Sequence, residues 1–323
     1  MKILFASLLG AACAASAPQA VAAAGPAYPS RPVTLIVPNA PGGAIDILSR
    51  LLSERLQKTW GQPVVVMYKP GANTVVGTDH VAKSAPDGYT LGIVVTSHVI
   101  NPTLRKTMPF DTVKDLAGVS MLVTSQIVIT ATPSLPASDL AGVIAMARKD
   151  PGKMSYASPG SGSSMHLTGE LLKSMTGVDM LHIPYKGSGP AYTEVMAGRV
   201  PLLIDPLFSS MPYIKSGKLK PIAVTGKTRD PSAPDIPTVA ETIPGFNVQS
   251  IFGLVAPAAT PRDVINKISA DVGTILRSAD FKARLAEVGL TSAPSTPEEF
   301  DALVKTEIDK WAPVVKASGA TAD

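Results

Sequence analysis

Apolar and polar positions follow two alternating periods along this chain. Residues 32–38 (PVTLIVP) form a β-branched apolar run closed by prolines, the pattern of a buried strand. After a loop at 39–43 (NAPGG), Ile45, Leu48, Leu51, Leu52 and Leu56 recur at helical spacing, predicting an amphipathic helix to about Trp60. Residues 63–68 (PVVVMY) give a second strand, 74–85 a helix, 86–88 (PDG) a turn, and 89–96 (YTLGIVVT) a third strand. This alternation predicts a parallel sheet covered by helices.

A second α/β series follows. Strands are expected at 127–131, 154–157, 180–184, 201–204 and 220–225, with helices at 138–149, 166–176, 190–197 and 211–216 between them. Residues 252–256 read as one more strand, and 261–278, 281–288 and 297–318 as helices. No 20–50-residue repeat and no Pro/Gly/Ser-rich linker divides the chain. Two domains joined by more than one crossing fit this better than beads on a string.

The N-terminus changes what counts as fold. Lys2 precedes a short apolar stretch from Ile3 to Cys13, and small residues follow, with cleavage expected after Ala23 or Ala24. Residues 1–24 are therefore read as an export signal peptide, so the mature protein is expected to be a soluble exported protein. Cys13 is the only cysteine, so the mature chain is expected to lack disulfides, thiol nucleophiles and Cys-ligated metals. Nothing later in the chain is long and apolar enough to span a bilayer.

With 323 residues, 45% hydrophobic and 17% charged, the chain has ample material for two cores. A net charge of +4 without basic runs, and 5% aromatics, argue against a nucleic-acid partner. A phosphate-binding GxxxxGK[ST] loop, a GxGxxG turn after the first strand, a GxSxG elbow and an HExxH pair are all missing from the sequence. His80, His98, His166 and His182 are not spaced as metal ligands on a helix. No cofactor and no metal site is expected.

Three strand-to-helix loops carry the candidate chemistry. In the first, Asn39, Ala40, Gly42 and Gly43 precede a helix start whose free amides favour an anion, and Asp46 either faces the site or satisfies the helix start. The second holds Gly160, Ser161, Gly162, Ser163 and Ser164, a polar nest that doubles as a helix cap, with His166 packing, capping or touching a ligand. The third holds Tyr185, Lys186 and Gly187; Tyr185 stacks on a ligand or packs, and Lys186 is the one cation in the three loops. Ser97 and Asp205 follow other strands and are candidates by the rule that open sheets bind ligands beyond the carboxyl ends of their strands.

Taken together, these segments resemble the periplasmic substrate-binding proteins of tripartite tricarboxylate transporters, the Bug-type receptors. The matching stretches are YPSRPVTLIVPNAPGGAIDILSR (28–50), GQPVVVMYKPGA (61–72), APDGYTL (85–91), NPTL (101–104), PFDTVKDL (109–116), PGKMSYASPGSGSSMHLTGELL (151–172), HIPYKGSGPA (182–191), IKSGKLKPIAVT (214–225), IPTVAE (236–241) and FGLVAPAATP (252–261).

The resemblance implies an α/β type II periplasmic-binding-protein fold: two α/β domains, a ligand cleft between them and two crossing segments, placed near 125–132 and 249–256. Domain 1 is expected at 26–125 plus 250–323 and domain 2 at 126–249. The implied function is that of a non-enzymatic, monomeric receptor. It would take a small mono- or dicarboxylate through backbone amides, hydroxyls and water, then dock to integral membrane transporter subunits. The chain departs from the family pattern at Asn39, where Phe is usual, and at Asn73 and Thr74, which makes Asn73 and Thr74 further contact candidates. Two rival readings remain: a ligand sensor for a membrane partner, and an exported hydrolase using Ser161 or Ser163 with His166.

Overall fold

A computed structural model describes residues 28–322; the expected signal peptide, and Cys13 with it, lies outside the described residues. The first half begins β1 (Val33–Val37), α1 (Ala44–Trp60), β2 (Val64–Tyr68), α2 (Val75–Ala82), β3 (Thr90–Val95) and α3 (Ser97–Leu104). Then come β4 (Leu116–Ala131), α4 (Leu140–Lys149), β5 (Ser155–Ser158), α5 (Ser164–Thr176), β6 (Leu181–Pro184) and α6 (Ser188–Met196). The chain continues through β7 (Leu202–Pro206), α7 (Leu207–Lys215), β8 (Lys220–Val224), α8 (Val239–Thr242) and β9 (Gln249–Pro257). It ends with α9 (Arg262–Arg277), α10 (Ala279–Ala286), β10 (Thr291–Ser292) and α11 (Pro297–Ser318).

The strands pair in the order β2-β1-β3-β9-β4-β7-β5-β6, with β10 and β8 also on β4. β2, β1 and β3 are mutually parallel, as are β6, β5 and β7. β4 joins the two parallel blocks. Its residues 116–126 pair antiparallel with β9, and its residues 127–131 pair antiparallel with β7. At the changeover Ser125 lies opposite Ser250 and Gln126 opposite Gln249, so β4 and β9 pass between the halves side by side. The fold is mixed α/β: two parallel blocks joined through the antiparallel strands β4 and β9.

Two large cores flank this sheet. One gathers Leu35, Leu48, Leu52 and Leu56 with Ile268, Val272 and Phe281 under α1 and α9. The other runs from Val99 and Leu104 of α3 through Trp311 of α11 to Leu167 and Leu172 of α5. α11 packs against α3 and β4 and also against α5, so the C-terminal helix touches both halves.

Several boundaries differ from the sequence reading. β4 begins at Leu116, not 127, and β9 at Gln249, not 252. Gly118, Ser120, Thr124, Ser125 and Gln126 interrupt the apolar run of β4 and hide it. Their polar atoms find distant partners instead: the Ser120 hydroxyl donates to Ser295 O at 2.9 Å and the Ser125 hydroxyl to Gly289 O at 3.1 Å. α3 (Ser97–Leu104) was not anticipated from the sequence, and Pro102 stands inside it. Proline costs a helix interior one hydrogen bond, and the burial of Val99, Ile100 and Leu104 compensates. α7 starts at Leu207, four residues before the expected helix.

Candidate functional site

Several helices begin on one cavity of about 290 Å³. Ala44 opens α1, Thr74 caps α2, Ser97 opens α3 and Ser164 opens α5, and all four line its wall. The cavity sits where β4 and β9 cross: Ser125 and Ser250 form part of it, with Phe252 beside them and Pro206 and Phe208 arriving from the end of β7. Among the described residues, no Asp, Glu, Lys, Arg or His lines it. Its polarity comes from hydroxyls, the Asn39 and Asn73 amides and the backbone.

The backbone contribution is specific. In α1 the first turn is closed by Asp46 N–H and Ile47 N–H, both donating to Gly43 O, while the amides of Ala44 and Ile45 have no backbone acceptor among the described residues. In α5 the Ser163 hydroxyl accepts the His166 amide at 3.2 Å and Ser163 O accepts the Leu167 amide, leaving Ser164 and Met165 in the same position. Helix geometry leaves the first amides of a helix unpaired, and the aligned peptide dipoles add partial positive charge there. Two such amide pairs, in residues that line one cavity, can hold an anion without a cationic side chain.

The 72–74 turn adds hydroxyls at a conformational cost. Ala72, Asn73 and Thr74 have φ of 47°, 52° and 76°, a region that residues with a Cβ avoid. Asn101 holds them: its Nδ2 donates to Asn73 O at 2.8 Å and its Oδ1 accepts from Asn73 Nδ2 at 2.9 Å. The Thr74 and Ser97 hydroxyls lie 2.6 Å apart. One of them donates to the other, so one hydroxyl proton of the pair stays free for a bound acceptor.

Of the residues singled out from sequence, Asn39, Asn73, Thr74, Ser97, Gly162, Ser163 and Ser164 line this cavity. The others lie elsewhere. Ala40, Gly42 and Gly43 are exposed on the loop before α1 and are not in the wall. Asp46 is turned under that loop, where it accepts the Gly42 amide at 2.9 Å, Arg50 Nε at 2.7 Å and the Tyr68 hydroxyl. The Tyr68 hydrogen bond holds its carboxyl below the ordinary range, more than Gly42 and Arg50 do. Asp46 therefore braces the loop from behind.

In the second half, Ser161 is exposed and His166 is buried, and both line a separate groove with His182 and Glu170. Gly160 accepts the Ser163 hydroxyl at 2.7 Å. Tyr185, Lys186 and Gly187 follow β6, the outermost strand: Tyr185 packs against the cluster of Ala157, Ala191 and Tyr192, Lys186 is exposed, and Gly187 N–H donates to Pro159 O at 2.9 Å. Asp205 is wholly buried one residue before the cavity wall, accepting Ser188 Oγ at 2.8 Å and the Tyr192 hydroxyl. Burial pushes its carboxyl up to about 6. The Ser163 hydroxyl donates to Gly160 O and the His166 ring nitrogen Nδ1 accepts Gly162 N–H at 3.1 Å, so neither serine of the hydrolase reading is paired with that imidazole.

Sequence reasoning passed over Ala44, Ile45 and Met165, whose contribution is a backbone amide that any residue type supplies. Ser125, Ser250 and Phe252 fall in the anticipated crossing segments, and their position there was the available signal. Phe208 lies three residues after Asp205, on the same strand-to-helix connection.

A family model described as the tripartite tricarboxylate transporter family receptor matches residues 48–320. Protein BugT of Bordetella pertussis is 36% identical over 296 residues, spanning 91% of this chain and 91% of BugT. Among solved structures, Rpa4515 of R. palustris with adipate is 35% identical with a TM-score of 0.79, covering 91% of this chain and 99% of that one. MatC from Rhodopseudomonas palustris with bound malate is 31% identical with a TM-score of 0.73, covering 89% and 100%.

Proposed function

The chain belongs to the tripartite tricarboxylate transporter receptor family, a family of solute receptors and not enzymes, and from that premise we propose that it captures a small organic carboxylate in the periplasm and delivers it to membrane transporter subunits. The observation that carries this reading is the cavity between the halves, lined by the starts of α1 and α5 with their unpaired amides and by no charged side chain. A carboxylate needs several donors rather than a counter-ion to be held there. The remaining wall, Phe208, Phe252, Val95 and Ile100, favours a ligand whose body is a short carbon chain or a ring. Adipate and malate, named with two relatives, are acids of this kind.

The two lobes, 26–125 with 250–323 and 126–249, would open and close about the paired strands at Ser125 and Ser250. A solute held by α1 from one lobe and α5 from the other binds the closed form better, and that difference in affinity shifts the population. The mature protein is read as a monomer that docks in its closed form.

The test is thermal unfolding of the protein, refolded free of bound solute, against a panel of di- and tricarboxylates, acidic amino acids and aromatic acids, adipate and malate included. An acid at about 100 times its dissociation constant adds about 2.7 kcal/mol of stability. A clear shift with one chemical group of acids supports capture. No shift with any of them contradicts it.

A further inference from the structure

Behind the 159–164 loop lies a histidine pair that the solute site does not use directly. His166 and His182 are stacked, with ring centroids 3.8 Å apart and planes 16° apart. His166 Nδ1 accepts the Gly162 amide at 3.1 Å, which puts the ring's proton on Nε2, 3.9 Å from Glu170 Oε1. His182 Nε2 lies 2.7 Å from Ser158 Oγ, and that hydroxyl also bonds Gly160 O at 3.2 Å. Both ends of the loop are thus fixed from behind by imidazoles, and Gly162 itself lines the solute cavity.

We propose that His166 is a positioning residue: its neutral ring holds the Gly162 amide and with it the 159–164 loop in the solute-binding geometry, and protonation of the pair releases that loop. The inference rests on the solute-receptor reading and adds proton linkage to it. A protonated His166 has two N–H donors and no acceptor, so Gly162 N–H would face another donor. Two stacked imidazolium rings would also repel each other.

The surroundings favour the neutral form. On α5, Glu170 faces the His166 ring and favours the charged form, but it is bonded by Lys173 at 3.1 Å and by the Tyr156 hydroxyl of β5 at 2.7 Å. Lys173 opposes protonation. Asp179 shares the groove ahead of β6, and residues 317–320 at the end of α11 bring no charge. Burial is the largest influence on both rings, holding His166 below its ordinary value and His182 down to about 3, where His166 and Lys173 add to the effect. The loop is therefore held at neutral pH and freed as the pH falls below that of an ordinary histidine.

The experiment needs no ligand. Amide hydrogen exchange at Gly162 is followed between pH 7.5 and 3 in the native protein, His166→Asn and His166→Leu, with imidazole nitrogen shifts recorded alongside. Asparagine places a non-titrating oxygen where Nδ1 stands. The native protein is expected to lose about tenfold in Gly162 protection over the range, the strength of one hydrogen bond. His166→Asn keeps its protection throughout and His166→Leu lacks it throughout. If all three share one profile, or if His166 carries its proton on Nδ1 at pH 7.5, the proposal is overturned. Failure of every acid to bind would sink the receptor reading and leave this result standing.

Discussion

Leu104, at the end of α3, meets Gly162, in the loop before α5, so closely that a methyl group on Gly162 would lie 2.8 Å from Leu104 Cδ2. One residue belongs to the β1–α3 half and the other to the β5–α7 half. In the proposed two-lobe receptor this contact spans the lobes beside the cavity. Gly162 also has φ of +72°, which a side chain tolerates poorly. Gly162→Ala is therefore expected to favour the open arrangement and weaken acid binding by about tenfold or more, while most of the fold's stability remains. Small-angle scattering with saturating acid checks this: the native protein should contract and the variant should contract less.

Asp46 gives a second prediction. It reaches the cavity only through the Gly42 loop, so Asp46→Ala should lower affinity for every acid in similar proportion. The substitution strips Tyr68, Gly42 and Arg50 of their common acceptor, at about 1–3 kcal/mol of stability. Isothermal titration with acids that do and do not carry an amine separates the roles. A selective loss for amine-bearing acids would mean that Asp46 touches the ligand.

His98 is fully buried, its Nδ1 has no partner among the described residues, and burial alone lowers its imidazole to about 4. The folded value is below that of the unfolded chain, so the neutral ring's contribution is complete above about pH 6.5 and is lost as the pH falls through 4. The size of that loss is on the order of 3 kcal/mol. His98→Leu should flatten this part of the acid limb in urea unfolding measured from pH 7 to 4. An unchanged limb would show that His98 is charged or solvated in the fold.

Asp205 has the opposite sign. Its folded carboxyl, at about 6, lies above the ordinary 3.8, so the contribution is complete below about pH 3.8 and is lost as the pH rises through 6. Ionisation in place costs on the order of 3 kcal/mol at neutral pH. Asp205→Asn should therefore gain on the native protein between pH 4 and 7 in the same unfolding series. Its amide still accepts from Ser188 and donates to Tyr192, which can pass its own proton to Ser210, 3.1 Å away. A constant difference between the two proteins would contradict the raised value.

The alternation that builds each parallel block was legible because β1, β2 and β3 are short apolar runs between helical repeats. The long strand β4 was not, since its middle carries Ser120, Ser125 and Gln126, whose side-chain partners lie 100 residues or more away, apart from the strand-internal bond of Ser120. Glycine and serine loops flagged the starts of α1 and α5, and the cavity does border them. What the sequence does not encode is which atom of the loop points inward. The exposed Gly42 and Gly43 shape the turn, while the wall is lined by Ala44 and Ile45, whose amides have no backbone acceptor among the described residues. Tyr185 and Lys186 sit after a strand much like those before the cavity loops, but β6 is the outermost strand of its block, and that order depends on pairing across the whole chain.

The most direct test is a crystal structure of the protein with an acid that stabilises it in the panel. The account predicts a carboxylate in the cavity within hydrogen-bonding distance of the Ala44 or Ile45 amide on one side and the Ser164 or Met165 amide on the other, with Phe208 and Phe252 against the ligand's body. An acid bound elsewhere, or bound in the cavity through side chains without those amides, would contradict it.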